Sequence, residues 1–370
     1  MRQEGQARFN PGTAFYRVES AIARDLAILC ARLYRQSRGQ LRVLDTMTGS
    51  GVRPLRYVLE AQADWVWANE GNMDLAPTLR ANLAVLPPHR YQLTHENSQR
   101  LCLSCYQNRD FYDLVDIDNF GNPATHIDTG LGATRLGGLL YLTNTDGRST
   151  SGHDPQASLR IYPAYARWHP AVHEQGLRLL LGRAAQTAAS RGLGIEPLFS
   201  LFTGRVHRVM VRLVRHMTLD ETTYGFVAYC HGCGHFQRLV WSQLGRVSCP
   251  CQLESDGEAR VVVSGPLWIG PLHDVNQLLA MATLAQEWGW LVQTDLLVLM
   301  AAEANLPPYY YPLGEIGRRG RMDIPNRDRL VAALQSAGYQ ATRPHMEAQA
   351  VKTTASFSHC VAIARQLSGD

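Results

Sequence analysis

The turn Asp45-Thr46-Met47-Thr48-Gly49-Ser50-Gly51 follows an apolar strand end, Val43-Leu44, and leads into a helix-like run from Pro54 to Glu60. Small residues there let a ligand approach the backbone, and the start of the helix offers free N–H groups. A dinucleotide-binding turn wants a third glycine three residues after the second, where this chain has Pro54, so a nicotinamide cofactor is disfavoured. Asp45 places a carboxylate just before the turn, where it can face an ammonium group such as the one S-adenosylmethionine carries. A second strand, Ala63 to Glu70, ends in an acid nineteen residues after Gly51, positioned to take both hydroxyls of a ribose. Asp45, Gly49, Gly51 and Glu70 are therefore the cofactor-binding candidates. Arg53 at the head of the helix joins them, with Arg24 for the cofactor carboxylate and Asn97, after the next strand, for its base. The plainer alternatives are a solvated pair with Asp25 for Arg24 and a simple turn residue for Asn97.

The strand Phe111 to Asp118 runs into Asn119-Phe120-Gly121-Asn122-Pro123. An exocyclic amine on a nucleobase has its lone pair delocalised into the ring, so methylating it requires acceptors for the amine protons and an aromatic plate for the base. Asp118 supplies an acceptor and a candidate catalytic base, and Phe120 the plate. Read plainly, Asp118 caps a helix and Phe120 is core. Further on, Cys230-His231-Gly232-Cys233 and Cys249-Pro250-Cys251 are two cysteine pairs fifteen residues apart, with Gly232, Gly234 and Pro250 to make tight turns. Four thiolates, Cys230, Cys233, Cys249 and Cys251, around zinc are the leading reading. The short second spacing leaves His231 or His235 open as a replacement for one sulfur, and ordinary thiols as the other possibility. Cys102 and Cys105 have no second pair to join and read as packed or surface thiols.

These side chains need a scaffold. The pattern predicts a helix over Ala14–Tyr34 with Ile22, Leu26, Leu29 and Leu33 on one face, and another over Leu75–Leu86. Strands are predicted over Tyr91–Thr94, Gly137–Thr143 and Val206–Val214, with a long helix from Pro170 to Ser190 between the last two. Met1 to Pro11 is polar and reads as frayed or ordered by a partner. This is an α/β domain over residues 1–219, with five or more parallel strands and a return strand at one edge. Residues 220–370 form a second, α+β domain with helices over Asp274–Glu287 and Thr294–Ala304. In it, Tyr309-Tyr310-Tyr311 and the arginines 318, 319 and 321 suit an RNA backbone and unstacked bases; a solvated loop beside packed tyrosines is the plainer version. The length of 370 residues, 45% of them hydrophobic, suffices for two such domains. With no run of eighteen apolar residues and no leader, a soluble, cytoplasmic chain is expected. A net charge of +4, nearly all of its basic part arginine, permits a phosphate-rich partner.

Taken together the motifs resemble the tRNA guanine-26 N2-dimethyltransferases. The resemblance runs through Phe9-Asn10-Pro11, Ala23-Arg24-Asp25-Leu26, Leu44 to Arg53 and Asp116 to Ala124. It continues through Leu142 to Gly147, Arg208 to Arg212, Gly265 to His273, Arg343-Pro344-His345 and Val351 to Thr354. It implies a Rossmann-like class I methyltransferase domain followed by a smaller α+β domain with a zinc site. It further implies methylation of the exocyclic N2 amine of a guanine in tRNA, with S-adenosylmethionine as donor, by a monomer that holds tRNA partly through its second domain. The chain departs from the family at Asn119, where proline is usual, and at Glu70, where aspartate is common. Two other classes share the features: a catalytically silent RNA-binding protein of the same fold, and an amino-methyltransferase acting on another base or on DNA.

Overall fold

The computed structural model describes residues 1–249, 251 and 261–368; Pro250, assigned above to a tight turn, lies outside them. Two compact units emerge, one made of Met1–Thr145, Thr187–Thr218 and Asn276–Leu297, the other of Asp146–Gln186, Leu219–Val275 and Val298–Asp370. They alternate along the chain, whereas the sequence reading draws a single boundary at 219/220. Residues 276–297 cluster with the first unit because Gln293 donates to Asp25 Oδ2 at 2.6 Å and the Arg56 guanidinium lies 5.5 Å from the Trp290 ring.

The first unit is built on a seven-stranded sheet: β1 (Arg42–Asp45), β2 (Trp65–Asn69), β3 (Tyr91–Thr94), β4 (Tyr112–Ile117), β5 (Thr134–Asn144), β6 (Gly194–Thr203) and β7 (Val206–Val214), in the order β3-β2-β1-β4-β5-β7-β6. Neighbours are parallel from β3 to β5, and β7 runs antiparallel to both of its partners. The return strand thus lies inside the edge, not on it. A short turn at Gly204 joins β6 to β7, and β6 takes the outer place. β4 is buried at every residue, as a strand with both faces covered must be.

Helix α1 (Ala21–Arg38) begins seven residues later than the periodicity predicts, because Val18–Ser20 form a separate short turn and Phe15 precedes it in a loop. It ends at Gly39 in the left-handed conformation, φ 77°. The N-terminal segment is ordered, contrary to expectation. Arg2–Glu4 and Ala7–Phe9 pair as a hairpin, and Glu4 is buried between two arginines. Its carboxylate accepts from Arg24 at 2.7 and 2.5 Å, from Arg56 at 2.8 Å and from the Tyr16 hydroxyl at 2.7 Å. Burial raises its pKa, but the arginines and Tyr16 outweigh burial and leave it below the ordinary glutamate value.

The second unit carries an antiparallel sheet of β8 (Tyr224–Cys230), β9 (Phe236–Leu239) and β10 (Val261–Trp268), and a second small sheet whose central strand is Ala350–Thr353. Its core contains a charged triad. Glu174 accepts from Arg178 at 2.7 Å and from Lys352 at 2.6 Å, and Arg178 also donates to the carbonyls of Trp268 and Gly270. Among the described residues no helix is long and apolar enough to cross a membrane.

Candidate active site

Parallel strands leave their carboxyl ends at one edge of a sheet, where ligands bind in open α/β folds. In the first unit that edge carries a cavity of about 720 Å³, within the usual range for a small-molecule site. Its wall includes Thr46 to Ser50, Arg53, Glu70, Asn97, Asp118 and Phe120, so residues from three strand ends meet there; of the predicted cofactor residues, Asp45 and Gly51 do not line it.

On the β1 side, Gly49 and Gly51 adopt φ of 57° and 81°, the left-handed region that favours glycine. Gly51 is the cap residue of α2 (Val52–Leu59) and packs against Leu79, so a methyl group there would stand 3.1 Å from that side chain. The turn is pinned on both flanks: the Thr46 hydroxyl donates to Asp116 O at 2.8 Å, and the Thr48 N–H to Asn69 O at 2.8 Å. Asp45 is fully buried. Its Oδ2 accepts from the Thr48 hydroxyl at 2.7 Å, and its Oδ1 has no hydrogen-bond partner among the described residues. Burial and the Asp116 carboxylate, its neighbour in register, raise the pKa of Asp45 to about 7 against the pull of Arg53 and Thr48.

Glu70 bridges the glycine turn and the next loop, accepting from Gly49 N at 2.9 Å and Asn72 N at 2.9 Å. Asn97 lines the cavity, but its side-chain oxygen caps α3 (Ser98–Gln107) by accepting from Gln99 N and Arg100 N at 3.1 Å. That is the plainer role weighed for it, supporting the helix by about 1 kcal/mol. Arg24 also reaches the cavity wall, and Glu4 and the Arg17 carbonyl hold it there. It is not a solvated pair with Asp25, which Arg56 and Gln293 engage instead.

On the β4 side, Asp118 forms an ion pair with Arg53, whose Nε stands 3.5 Å from Asp116. Phe120 is 73% exposed, so it is no core residue. Its ring meets that of Phe15, 57% exposed, edge to face at 4.9 Å. Sequence reading missed Phe15 by extending the helix back through it; the Pro11-Gly12 turn signal ahead of an isolated aromatic was the available clue. Asn119 donates to the carbonyls of Phe120 and Asn122 at 2.9 and 2.8 Å. It therefore braces the loop from within, where a proline ring would restrict it covalently.

In the second unit the sulfurs of Cys230 and Cys251 lie 3.4 Å apart, those of Cys233 and Cys249 3.3 Å, and those of Cys249 and Cys251 3.5 Å. The four form a group able to hold a metal ion, and neither His231 nor His235 belongs to it. Zinc with bonds of about 2.3 Å places tetrahedral sulfurs roughly 3.8 Å apart, so the donor set and its spacing fit. His231 instead stacks on Trp168 at 5.9 Å. The aromatic stretch near 310 is packed, contrary to an RNA-facing role: Tyr310 and Tyr311 are buried, and Tyr309 stacks on Phe236 at 4.8 Å. Arg319 is likewise engaged, donating to the carbonyls of Gly232 and His231 beside the cysteines, while Arg318 is exposed. Cys102 and Cys105 are buried thiols, raised by burial to about 12 and about 11.

A family model described as N2,N2-dimethylguanosine tRNA methyltransferase matches residues 3–365. Two relatives, both named tRNA (guanine(26)-N(2))-dimethyltransferase, come from Pyrococcus horikoshii and Aeropyrum pernix. The first is 26% identical over 364 residues, covering 93% of this chain and 90% of its own. The second is 29% identical over 358 residues, covering 92% and 86%. The solved complex of Trm1 from Pyrococcus horikoshii with S-adenosyl-L-methionine superimposes with a TM-score of 0.85 at 25% identity, covering 98% of each chain.

Proposed function

The chain belongs to the N2,N2-dimethylguanosine tRNA methyltransferase family, and on that premise we propose how its own residues carry out S-adenosylmethionine-dependent methylation of guanine N2 in tRNA. One observation carries the reading: a single cavity is lined at once by the Thr46–Ser50 turn, Glu70, Asp118 and Phe120. The cofactor fits this wall chemically. Asp45, buried directly before the lining turn, has a carboxylate oxygen without a partner among the described residues for an ammonium group, the glycine turn permits close approach, and Glu70 offers acceptors for ribose hydroxyls. Arg24 and Arg53 line the same wall, and the Asn97 loop borders it. When bound, S-adenosylmethionine supplies an activated methyl group.

The chain's own work is positioning and proton handling. Phe120 and Phe15 hold the flipped base at the cavity mouth, since a nucleotide in folded tRNA must leave its stack to be reached. Asp118, oriented by Arg53, accepts hydrogen bonds from the N2 amine and takes the proton released as the N–C bond forms. We assign the target to position 26, by one or two methylations, on the names of the relatives. The four cysteines bind one zinc that fixes the β8–β9 turn of the second unit. That unit holds part of the tRNA, with exposed Arg318 among its phosphate contacts, and the protein acts as a monomer.

The test is nucleoside mass spectrometry of tRNA incubated with the protein and methyl-labelled cofactor. Labelled N2-methyl- or N2,N2-dimethylguanosine is expected; label in another nucleoside, or none, overturns the reading.

A further inference from the structure

The cavity wall extends two strands beyond Asp118, to the start of β7. Arg208 lies there, directly opposite Thr143 of β5 in the antiparallel ladder, and both residues line the cavity. Arg208 is 5% exposed. One of its Nη atoms donates to the Ser20 hydroxyl at 3.0 Å, and the other, Nη1, is buried with no hydrogen-bond partner among the described residues. The Thr143 hydroxyl is buried and unpartnered in the same way. Burial and the neighbouring charges of Arg53 and Arg24 lower the Arg208 pKa to about 10, which still leaves it ionised at neutral pH. A buried, ionised guanidinium with unused donor capacity is costly unless a ligand satisfies it.

The position of Arg208 indicates which ligand. Strand spacing puts β7 roughly 9.6 Å from β4, across β5, within the combined reach of a base and an arginine side chain. Asp118, at the end of β4, is the proposed partner of the N2 amine. Beside it, Asn119 Oδ1 is a second acceptor, buried and without a partner among the described residues, in a residue that also lines the cavity. Guanine presents two adjacent donors, N2–H and N1–H, and then an acceptor, O6, on the far corner of the ring. The wall presents two adjacent acceptors and then a donor. We propose that Arg208 is a specificity-determining residue that receives guanine O6, and N7 next to it, so that base identity is read from β7 while the amine is held at β4. The pairing of an arginine with O6 and N7 of guanine is a strong, geometrically matched contact. This inference rests on the methyl transfer proposed above, because it assigns the far edge of the same substrate.

The experiment uses full-length protein and tRNA carrying either guanosine or 7-deazaguanosine at the target position. The analogue keeps the N2 amine, N1–H and O6 but has C–H in place of N7. Single-turnover methyl transfer at saturating tRNA is compared for the wild type, Arg208→Met and Arg208→Lys, with calorimetric cofactor affinity measured for each as the check on folding. The wild type should prefer guanosine by about tenfold or more, the scale of one such contact. Arg208→Met should bring that preference within about twofold by losing more rate on guanosine than on the analogue, with cofactor affinity unchanged, and Arg208→Lys should restore part of it. If the preference survives in Arg208→Met, the inference fails. It fails equally if cofactor affinity falls while the preference stays, for Arg208 then serves the cofactor carboxylate. Wild-type protein that methylates neither tRNA would overturn the proposed function itself, an outcome distinct from both.

Discussion

Arg53 and Asp118 form an ion pair in the cavity wall, and the same guanidinium stands 3.5 Å from Asp116, so one arginine spans both acids at the end of β4. Asp118 is thereby held in one orientation before any substrate arrives. Replacing it by alanine should cut single-turnover methyl transfer by about a hundredfold or more, the usual worth of a positioned general base. Affinity for tRNA should stay within a few fold. Near-normal transfer by Asp118→Ala would move the proton acceptor elsewhere.

The contact between Phe15 and Phe120 predicts that two rings, one from the N-terminal loop and one from the β4 loop, hold the same base. Stacking of a base on an aromatic side chain contributes about 1–3 kcal/mol, so alanine at either position should weaken productive tRNA binding by roughly five- to 160-fold. Phe15→Tyr and Phe120→Tyr should retain activity. An unaffected Phe15→Ala variant would leave Phe120 as the only plate.

Asp45 makes cofactor binding depend on pH. Its pKa of about 7 in the folded chain lies above the ordinary 3.8, so the folded state holds its proton more tightly than the unfolded one. The resulting contribution to stability is complete below the unfolded value and is lost as pH rises through 7. Facing an ammonium group requires the ionised form, so affinity for S-adenosylmethionine should rise with pH up to about 7 and then level off. Calorimetry between pH 5.5 and 8.5 checks it (about three units spanning the transition), and Asp45→Asn should both weaken binding and flatten the profile.

The cysteine group should hold close to one equivalent of zinc, measured by metal analysis of protein prepared without chelators. Cys233→Ser should lose the metal and expose the β8–β9 turn to protease. Arg319 donates to the carbonyls of Gly232 and His231 in that turn, so Arg319→Ala should loosen the same segment while leaving the four sulfurs in place.

How far the sequence led follows from how local each signal is. That Glu70 and Asp118 meet on one cavity was legible because a strand, a turn and a helix fix each within a few residues. The clustering of the four cysteines was legible because short spacings bring sulfurs together. Arg208 was not: its meaning depends on β7 inserting between β5 and β6, a long-range pairing that periodicity does not encode. The fate of Arg24 was hidden for a similar reason, since Glu4 lies 20 residues upstream in a hairpin that looks merely polar as text. The tyrosines at 309–311 misled because aromatic and proline content describes a buried corner as well as an exposed one.

The chain has one lysine, Lys352, and its ammonium group is sealed against Glu174 with 1% of the side chain exposed. Every permanently charged basic side chain at the surface is therefore an arginine, which does not deprotonate below about pH 12. Alkaline titration will not loosen the protein's hold on a polyanion through its basic side chains. The same feature makes the fold its own reporter: a reagent that couples to primary amines meets no lysine side chain on the native surface, and Lys352 reacts only at the rate at which its surroundings open. Side-chain acylation measured over time is a clock for unfolding of the second unit.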